Sequence, residues 1–190
     1  MPQMHANASG NCVEIAFKKL EKMKNTQALF LIVCLMISVS SCYTSKIYVV
    51  RHAERLDQSE NPPLSSVGLE RAEALADILK DKNIDSIFAS KYQRNRQTAQ
   101  PLANRLGKQY AIYEAKPVDV IVNRVLKMKG KNALVIGHSD TVLEIVSGLG
   151  TKPTITKINS MDYDNLFIVT SKKGLFSIKK TLEELFYGKK

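Results

Sequence analysis

Short apolar runs alternate with helix-like patterns from residue 46 onward, and this alternation restricts the possible fold more than any other feature. Between the runs, apolar residues return every three or four positions at 69–79, 118–125 and 142–146, as on one face of a helix. Alternating strands and helices favour a mostly parallel sheet covered on both faces. We therefore predict a three-layer α/β/α fold with strands at Lys46–Val50, Ser86–Ala89, Gln109–Tyr113, Ala133–Ile136, Asn165–Thr170 and Leu175–Lys180.

The last two predicted strands are joined by the stretch TSKKGL, residues 170–175, which has the composition of a hairpin turn. An antiparallel hairpin at one edge of the sheet is therefore expected. The segment LSSVGLERAE earlier in the chain predicts a helix start, with Ser65 or Ser66 as its N-cap.

The segment from Met23 to Cys42 has the layout of a secretory signal. A lysine is followed by an apolar run from Ala28 to Ile37, and small residues then lead to Cys42. The run is short for a membrane-spanning helix, and a buried helix of the domain is the alternative. The ending VSSC resembles a bacterial lipoprotein box. We expect a signal peptide at 23–41, a lipidated Cys42, a short linker at 42–45 and a domain at 46–190, with residues 1–22 an over-long translation start.

Cleavage before Cys42 would leave 149 residues, enough for one globular core. It would remove Cys12 and Cys34, so no disulfide and no cysteine chemistry are expected. It would also remove four of the 28 Lys and Arg and two of the 18 Asp and Glu, leaving a net charge of +8. These charges form no block, which argues against nucleic-acid binding. The expected location is extracytoplasmic, on a membrane of the periplasm or cell envelope.

Charged side chains follow three of the predicted strands at their carboxyl ends, where open α/β sheets bind ligands. Arg51 and His52 come after the first strand, Arg94 lies shortly after the second, and His138 follows the fourth. Each histidine alone could be structural, but two at equivalent strand ends beside arginines indicate a site. A metal site is a weaker interpretation, because no third ligand stands at a recognisable spacing.

Four motifs resemble the histidine phosphatase superfamily in its phosphoglycerate-mutase-like branch. They are VVRHAER, LSSVGLERAEALADIL, SKYQRNRQTAQPLA and LVIGHSDTV, and they cover Lys46 to about Gly148. The resemblance implies that His52 is the nucleophile that becomes phosphorylated, with Arg51, Arg94 and His138 forming the phosphate pocket. The S-x-x-x-R-x-x-x-T pattern falls on Ser90, Arg94 and Thr98.

The chemistry of phosphoryl transfer suits these residue types. A neutral imidazole attacks phosphorus while fixed cations stabilise the charge on the three equatorial oxygens, and the planar fork of arginine fits that task better than lysine. We expect cationic neighbours to lower the pKa of His52 and to keep it neutral. His138 beside a phosphate dianion is expected to be an imidazolium.

The general acid that protonates the leaving oxygen is open. Mutase-like members place a glutamate between the second motif and the second histidine, which implies Glu114; the acid-phosphatase branch implies Asp140 instead. Small phosphohistidine phosphatases have no dedicated acid. Glu54 either orients His52 or caps a loop, and Arg55 either reaches the phosphate or is solvated.

The sequence thus predicts a phosphomonoester hydrolase that works through a phosphohistidine on His52 without metal or cofactor. Its expected partners are a small phosphorylated substrate or a phosphoprotein, together with a membrane bound through the lipid anchor. The alternatives are a phosphate-binding module without turnover, a phosphohistidine-protein phosphatase, and a mutase. A mutase is disfavoured because little sequence is left for a lid.

Overall fold

The computed structural model of the chain describes residues 25–27, 29–30 and 42–188. The chain divides at Cys42 into two units, Met1–Cys42 and Tyr43–Lys190. In the first unit, residues 25–27 and 29–30 are helical. The predictions for residues 1–22, for most of the signal segment 23–41 and for Cys12 and Cys34 lie outside the described residues. None of the helices in the described part combines the length and apolar character needed to cross a membrane.

Strands and helices alternate along residues 43–188, as the sequence predicts. We number them in chain order as β1 (Tyr43–Arg51), α1 (Ser66–Leu79), β2 (Ile84–Ser90), α2 (Gln93–Leu106), β3 (Tyr110–Tyr113), α3 (Val118–Leu126), β4 (Asn132–Gly137), α4 (Val142–Gly148), β5 (Asn165–Lys173) and β6 (Ile178–Phe186). Ser65 is the N-cap of α1, and its hydroxyl accepts a hydrogen bond from the Gly68 amide at 3.1 Å.

The strands form one sheet in the order β3-β2-β4-β1-β5-β6. β3, β2, β4 and β1 run parallel, whereas β5 is antiparallel to β1 and β6 is antiparallel to β5. The predicted fold class is confirmed: a mostly parallel sheet with an antiparallel hairpin at one edge. Because β1 lies beside β4, the two predicted histidine-bearing strand ends are neighbours.

Each face of the sheet buries a separate apolar cluster, since side chains alternate along the strands. Ile47, Val49 and Val135 pack on one face with residues of α3 and α4, such as Ile121 and Ile145. Tyr48, Val50, Leu134 and Ile136 pack on the other face with residues of α1 and α2, such as Leu75 and Leu102. The sheet is therefore the middle layer of three, which leaves its carboxyl edge free to form a site.

The bounds of β6 and β1 differ most clearly from the sequence prediction. β6 begins at Ile178 instead of Leu175 and continues to Phe186 instead of ending at Lys180. β6 begins later than predicted because the Gly174 amide donates to the Ser177 carbonyl at 2.9 Å, which closes the turn before Ile178. β1 begins at Tyr43, which pairs with Lys173, so residues 43–45 belong to the strand and not to a linker.

The apolar pattern of α1 was also partly misleading. Leu69, which continues the helical spacing, is 49% exposed. Ala72, Leu75, Ala76 and Leu79 supply the buried face of the helix. At Gly68 the helix packs closely on the segment that follows β1, where an added Cβ would lie 2.2 Å from the Glu54 carbonyl oxygen.

Candidate active site

The two predicted histidines meet where β1 and β4 end side by side. The His52 amide donates to the Gly137 carbonyl at 3.0 Å, which extends the pairing of the two strands by one residue. The ring centroids of His52 and His138 are 5.4 Å apart. Both rings line a cavity of about 570 Å³ together with Arg51, Arg55, Lys91, Arg94 and Lys116. The sheet topology therefore collects two imidazoles and five cations in one cavity.

His52 has one nitrogen committed to the backbone and one with a free lone pair. Its Nδ1 lies 2.8 Å from the Ala53 carbonyl oxygen, which can only accept a hydrogen bond, so Nδ1 carries the hydrogen. Nε2 is then the unprotonated, nucleophilic nitrogen. Burial, together with the smaller effects of the Arg51 and His138 charges, lowers the pKa of His52 to about 2, although the hydrogen bond to the Ala53 carbonyl acts in the opposite direction. The sequence correctly predicted a lowered pKa for His52 but attributed it to the neighbouring cations. Burial is the larger cause.

His138 is held from two sides. Its Nε2 lies 2.9 Å from the Ser90 hydroxyl, and its backbone amide donates to the Thr141 hydroxyl at 2.9 Å. The edge of the His138 ring meets the Tyr92 ring, with centroids 5.1 Å apart. Burial, followed by the charge of Arg94, lowers the pKa of His138 to about 4. The protein alone therefore keeps His138 neutral, and the predicted imidazolium would need the charge of a bound dianion.

The S-x-x-x-R-x-x-x-T pattern has a structural explanation, because its members, at the end of β2 and in the first turns of α2, each support a different part of the site. Ser90 ends β2 and contacts His138. Thr98 accepts from the Ala53 amide at 3.0 Å and donates to the Arg94 carbonyl at 2.8 Å, which fixes the backbone that follows His52. Arg94 lies one helical turn earlier and lines the cavity.

Arg94 presents desolvated donors to the cavity. Its guanidinium lies over the Tyr92 ring, with Cζ 4.6 Å from the centroid. Burial and the neighbouring Arg55 lower its pKa. Among the described residues, nothing accepts a hydrogen bond from the buried Arg94 Nε and Nη1 or from Arg55 Nε. Buried cationic donors of this kind are stabilised by an anion, and a phosphate supplies the required acceptors.

Arg51 also binds backbone carbonyls of the connection between α4 and β5, which the sequence did not indicate. Its Nη1 donates to the carbonyls of Asn159, Ser160 and Asp162 at 2.9, 3.0 and 3.1 Å. The guanidinium also stacks on Tyr163, with Cζ 4.0 Å from the ring centroid. Arg51 therefore ties the connection between α4 and β5 to the cavity rim, while its buried Nε has no acceptor among the described residues.

Both candidate acids lie on the cavity wall, but each is paired with a lysine. Glu114 Oε2 is 3.0 Å from Lys91 Nζ, and Asp140 Oδ2 is 2.9 Å from Lys116 Nζ. The two carboxylate side chains are 63% and 60% exposed. Partial burial raises the pKa of Asp140, but the hydrogen bond and charge of Lys116 outweigh this effect and leave the pKa below its usual value. Asp140 is thus ionised at neutral pH, unlike a poised general acid.

Glu54 does not orient His52. Its carboxylate accepts from Arg71 Nε at 2.8 and 2.9 Å, and Arg71 Nη1 in turn donates to the Tyr187 carbonyl at 2.9 Å. This network links the segment after β1 to α1 and to the end of β6. Arg55 lines the cavity, and its guanidinium also donates to the exposed Gln58 side chain. Arg55 therefore lies at the rim, between the cavity and the surface.

Sequence reasoning missed the residues that position the site. Asn95 Nδ2 donates to the carbonyls of Ile136 and Gly137, both at 3.0 Å, and so joins α2 to the end of β4. The only signal was a polar residue at a buried helical position next to Arg94. The backbone carbonyls of residues 159–162 cannot be recognised from the sequence, because every residue has a carbonyl.

The described residues include no group of three or more His, Cys, Asp or Glu that could hold a metal ion.

Fold and site together define an α/β protein in which a buried, neutral histidine stands among desolvated arginines, the arrangement that phosphoryl transfer to a histidine requires. The sequence model of the histidine phosphatase superfamily (branch 1) matches residues 47–116. This match confirms the predicted resemblance to that superfamily and agrees with the predicted class of enzyme, a phosphatase. No curated protein sequence matches the chain.

Solved structures share the fold at low sequence identity. The protein histidine phosphatase SixA complexed with tungstate is 18% identical, with a TM-score of 0.56, and the match covers 74% of this chain and 96% of that one. A mycobacterial glucosyl-3-phosphoglycerate phosphatase is 13% identical, with a TM-score of 0.59 and coverages of 74% and 97%. A phosphoserine phosphatase from Entamoeba histolytica, in complex with 3-phosphoglyceric acid, is 16% identical, with a TM-score of 0.56 and coverages of 76% and 98%.

Proposed function

We propose that the protein hydrolyses phosphomonoesters through a covalent phosphohistidine on His52. The observation that carries this proposal is the state of the His52 ring: Nδ1 donates to the Ala53 carbonyl, and burial holds the pKa at about 2. A nucleophilic nitrogen is therefore available at any physiological pH without a separate base.

The reaction has two displacement steps. In the first, a bond forms between His52 Nε2 and phosphorus while the bond from phosphorus to the leaving oxygen breaks, and that oxygen keeps the electron pair and takes up a proton from solvent water. In the second, water attacks phosphorus, the bond to Nε2 breaks, and inorganic phosphate leaves with neutral His52 restored. The two steps balance without a metal or a redox partner.

Cationic donors stabilise both transition states. Arg94 offers two buried donors without a protein acceptor, and the Arg51 and Arg55 Nε groups add one each. These donors are fixed before the substrate arrives, so little reorganisation is needed as charge develops on the equatorial oxygens. Binding of a dianion would also raise the pKa of His138 and make its ring a further cationic donor.

The proposed substrates are those whose leaving group needs little protonation. Glu114 and Asp140 are the candidate acids, but both are exposed and paired with lysines. This pairing favours aryl phosphates among the esters. It also supports a second candidate function, the removal of phosphate from a phosphohistidine protein, because a neutral imidazole leaves without a dedicated acid.

A substrate comparison tests both candidates. We expect an aryl phosphate or a phosphorylated imidazole to be hydrolysed faster than an alkyl phosphate, and His52→Ala to abolish all three activities. His138→Ala is the matched comparison, since it removes an equivalent ring from the same cavity but leaves the nucleophile. Turnover of every substrate by His52→Ala at the wild-type rate would contradict the proposal, whereas phosphate binding with no turnover by the wild type would support a binding module.

We also propose that the mature protein begins at a lipidated Cys42 and is held on an extracytoplasmic membrane surface. The sequence before Cys42 supports this proposal, as does the exposure of Cys42 directly before β1. Mass spectrometry of the protein from membranes should find the N-terminus at Cys42 with an added diacylglycerol. An intact segment 1–41, or an unmodified Cys42, would contradict it.

A further inference from the structure

The turn between β5 and β6 exposes apolar side chains at its tip. The Gly174 amide and Ser177 carbonyl close the turn at 2.9 Å, which leaves Leu175 and Phe176 outside the sheet. Phe176 is 98% exposed and Leu175 is 55% exposed. Neither side chain belongs to an apolar cluster of the core. Apolar side chains displayed together on a turn indicate a surface that meets another phase or another molecule.

Lysines flank this turn on both strands. The flanking strands carry Lys172, Lys173, Lys179 and Lys180, and the segment 171–181 contains no Asp or Glu. A second basic segment, 126–132, also lacks acidic residues and carries Lys129 and Lys131. Ser45 of β1 holds this segment, because its hydroxyl accepts from the Gly130 amide at 2.9 Å. The lysines therefore form one basic surface around the amino-terminal end of β1.

This surface adjoins the residue that follows Cys42. Tyr43 pairs with Lys173, the last residue of β5 before the turn, and the Lys173 ammonium lies 5.9 Å from the centre of the Tyr43 ring. The catalytic cavity lies at the other end of β1, beyond Arg51. At about 3.3 Å per residue, β1 separates the two ends by about 26 Å.

We propose that the β5–β6 turn and its lysines form a membrane-binding surface for anionic lipid headgroups, with Leu175 and Phe176 entering the interfacial layer. Apolar tips flanked by lysines bind such surfaces by combining buried apolar area with attraction to anionic lipids. A second copy of the chain fits less well, because lysines along an edge hairpin repel their counterparts on another copy. This orientation directs the catalytic cavity away from the bilayer, toward soluble substrates.

Single tryptophans test the proposal, because the chain contains no Trp. Phe176→Trp places a probe at the turn. Met161→Trp is the matched control, since Met161 is 82% exposed and lies in the connection that contacts Arg51 at the opposite end of β1. The full chain with each probe is mixed with vesicles of phosphatidylcholine, with or without phosphatidylglycerol, whose acyl chains carry bromine as a quencher. Both variants carry the same leader, so any response that arises through the leader is common to the two probes.

We expect the emission of Phe176→Trp to shift to the blue and to be quenched by anionic vesicles, whereas Met161→Trp stays unchanged. The quenching of Phe176→Trp should fall about tenfold or more when phosphatidylglycerol is omitted or when Lys172→Glu and Lys179→Glu are combined. Equal responses of the two probes to anionic vesicles would overturn the proposal. A blue shift of Phe176→Trp that grows with protein concentration, without vesicles, would overturn it in favour of self-association. Phe176→Asp should hydrolyse a soluble aryl phosphate at the wild-type rate. The membrane-binding proposal and the catalytic proposal are therefore tested separately.

Discussion

Acidification should destabilise the folded domain through its two buried histidines, and the size of the effect follows from their lowered pKa values. His52 has a pKa of about 2 and His138 a pKa of about 4 in the folded protein. In the unfolded chain both return to about 6.5. The unfolded state therefore binds more protons as the pH falls through 6.5, so stability is lost on acidification and is full above that pH.

The magnitude can be worked out for a fall from pH 7.5 to pH 5. At pH 5 each histidine is almost fully protonated in the unfolded chain and neutral in the fold, which lowers the free energy of unfolding by about 2 kcal/mol per histidine. At pH 7.5 the same penalty is below about 0.1 kcal/mol. The two histidines together should therefore cost about 4 kcal/mol over this range, a large part of the stability of a typical domain. Carboxylates of ordinary pKa titrate mostly below pH 5 and add little.

Urea unfolding at the two pH values, followed by circular dichroism, measures this loss. His52→Asn and His138→Asn should each lose about 2 kcal/mol less than the wild type on acidification, whatever their stability at pH 7.5. Phe176→Asn is the control, because Phe176 is 98% exposed and does not titrate, so this variant should lose as much stability on acidification as the wild type. If the wild type and both site variants lose the same stability, the histidines are not buried in the neutral form and the reasoning is refuted.

Three further predictions concern the site and its support. Arg94→Ala should lower kcat by about 10²–10³, and Arg94→Lys should restore only part of it because a point charge cannot replace the planar fork; wild-type rates in both would remove Arg94 from the mechanism. Glu114→Gln and Asp140→Asn should slow alkyl phosphate hydrolysis by far less than the roughly 10²–10⁴-fold contribution of a general acid, and a loss of that size in either variant, larger than its loss on an aryl phosphate, would identify the acid. Gly68→Ala should destabilise the domain by about 1–3 kcal/mol in urea unfolding, since its Cβ would meet the Glu54 carbonyl, whereas Ala72→Gly tests the helix without that clash.

The sequence predicted the fold because its apolar periods match the elements that bury them. Val50 and Ile136 end neighbouring apolar runs, and these runs became the central strands β1 and β4. The same pattern failed where apolar residues are exposed: Leu175 was assigned to a strand, but the hydrogen bond from Gly174 to Ser177 places it in the turn. Periodicity reports burial, so it cannot distinguish an exposed apolar tip from a buried strand.

The candidate site was predictable where side chains follow strand ends. His52 and His138 could be placed together because parallel neighbouring strands end at the same edge of a sheet. The fixing of Arg51 by carbonyls of Asn159 and Ser160 was not predictable, since every residue has a carbonyl and tertiary contact alone selects which one is used. The pairing of Asp140 with Lys116 likewise depends on two loops that meet only in the folded protein.

The central claim is a covalent phosphohistidine on His52, and chemical trapping of that intermediate tests it most directly. The enzyme is mixed with a ³²P-labelled aryl phosphate, and the reaction is stopped in alkali within its first turnovers. We predict one labelled site, stable to alkali but lost in acid, on the peptide that contains His52, with no label in His52→Ala. Rapid turnover by the wild type with no trapped label, or with an alkali-labile label on another residue, would contradict the account.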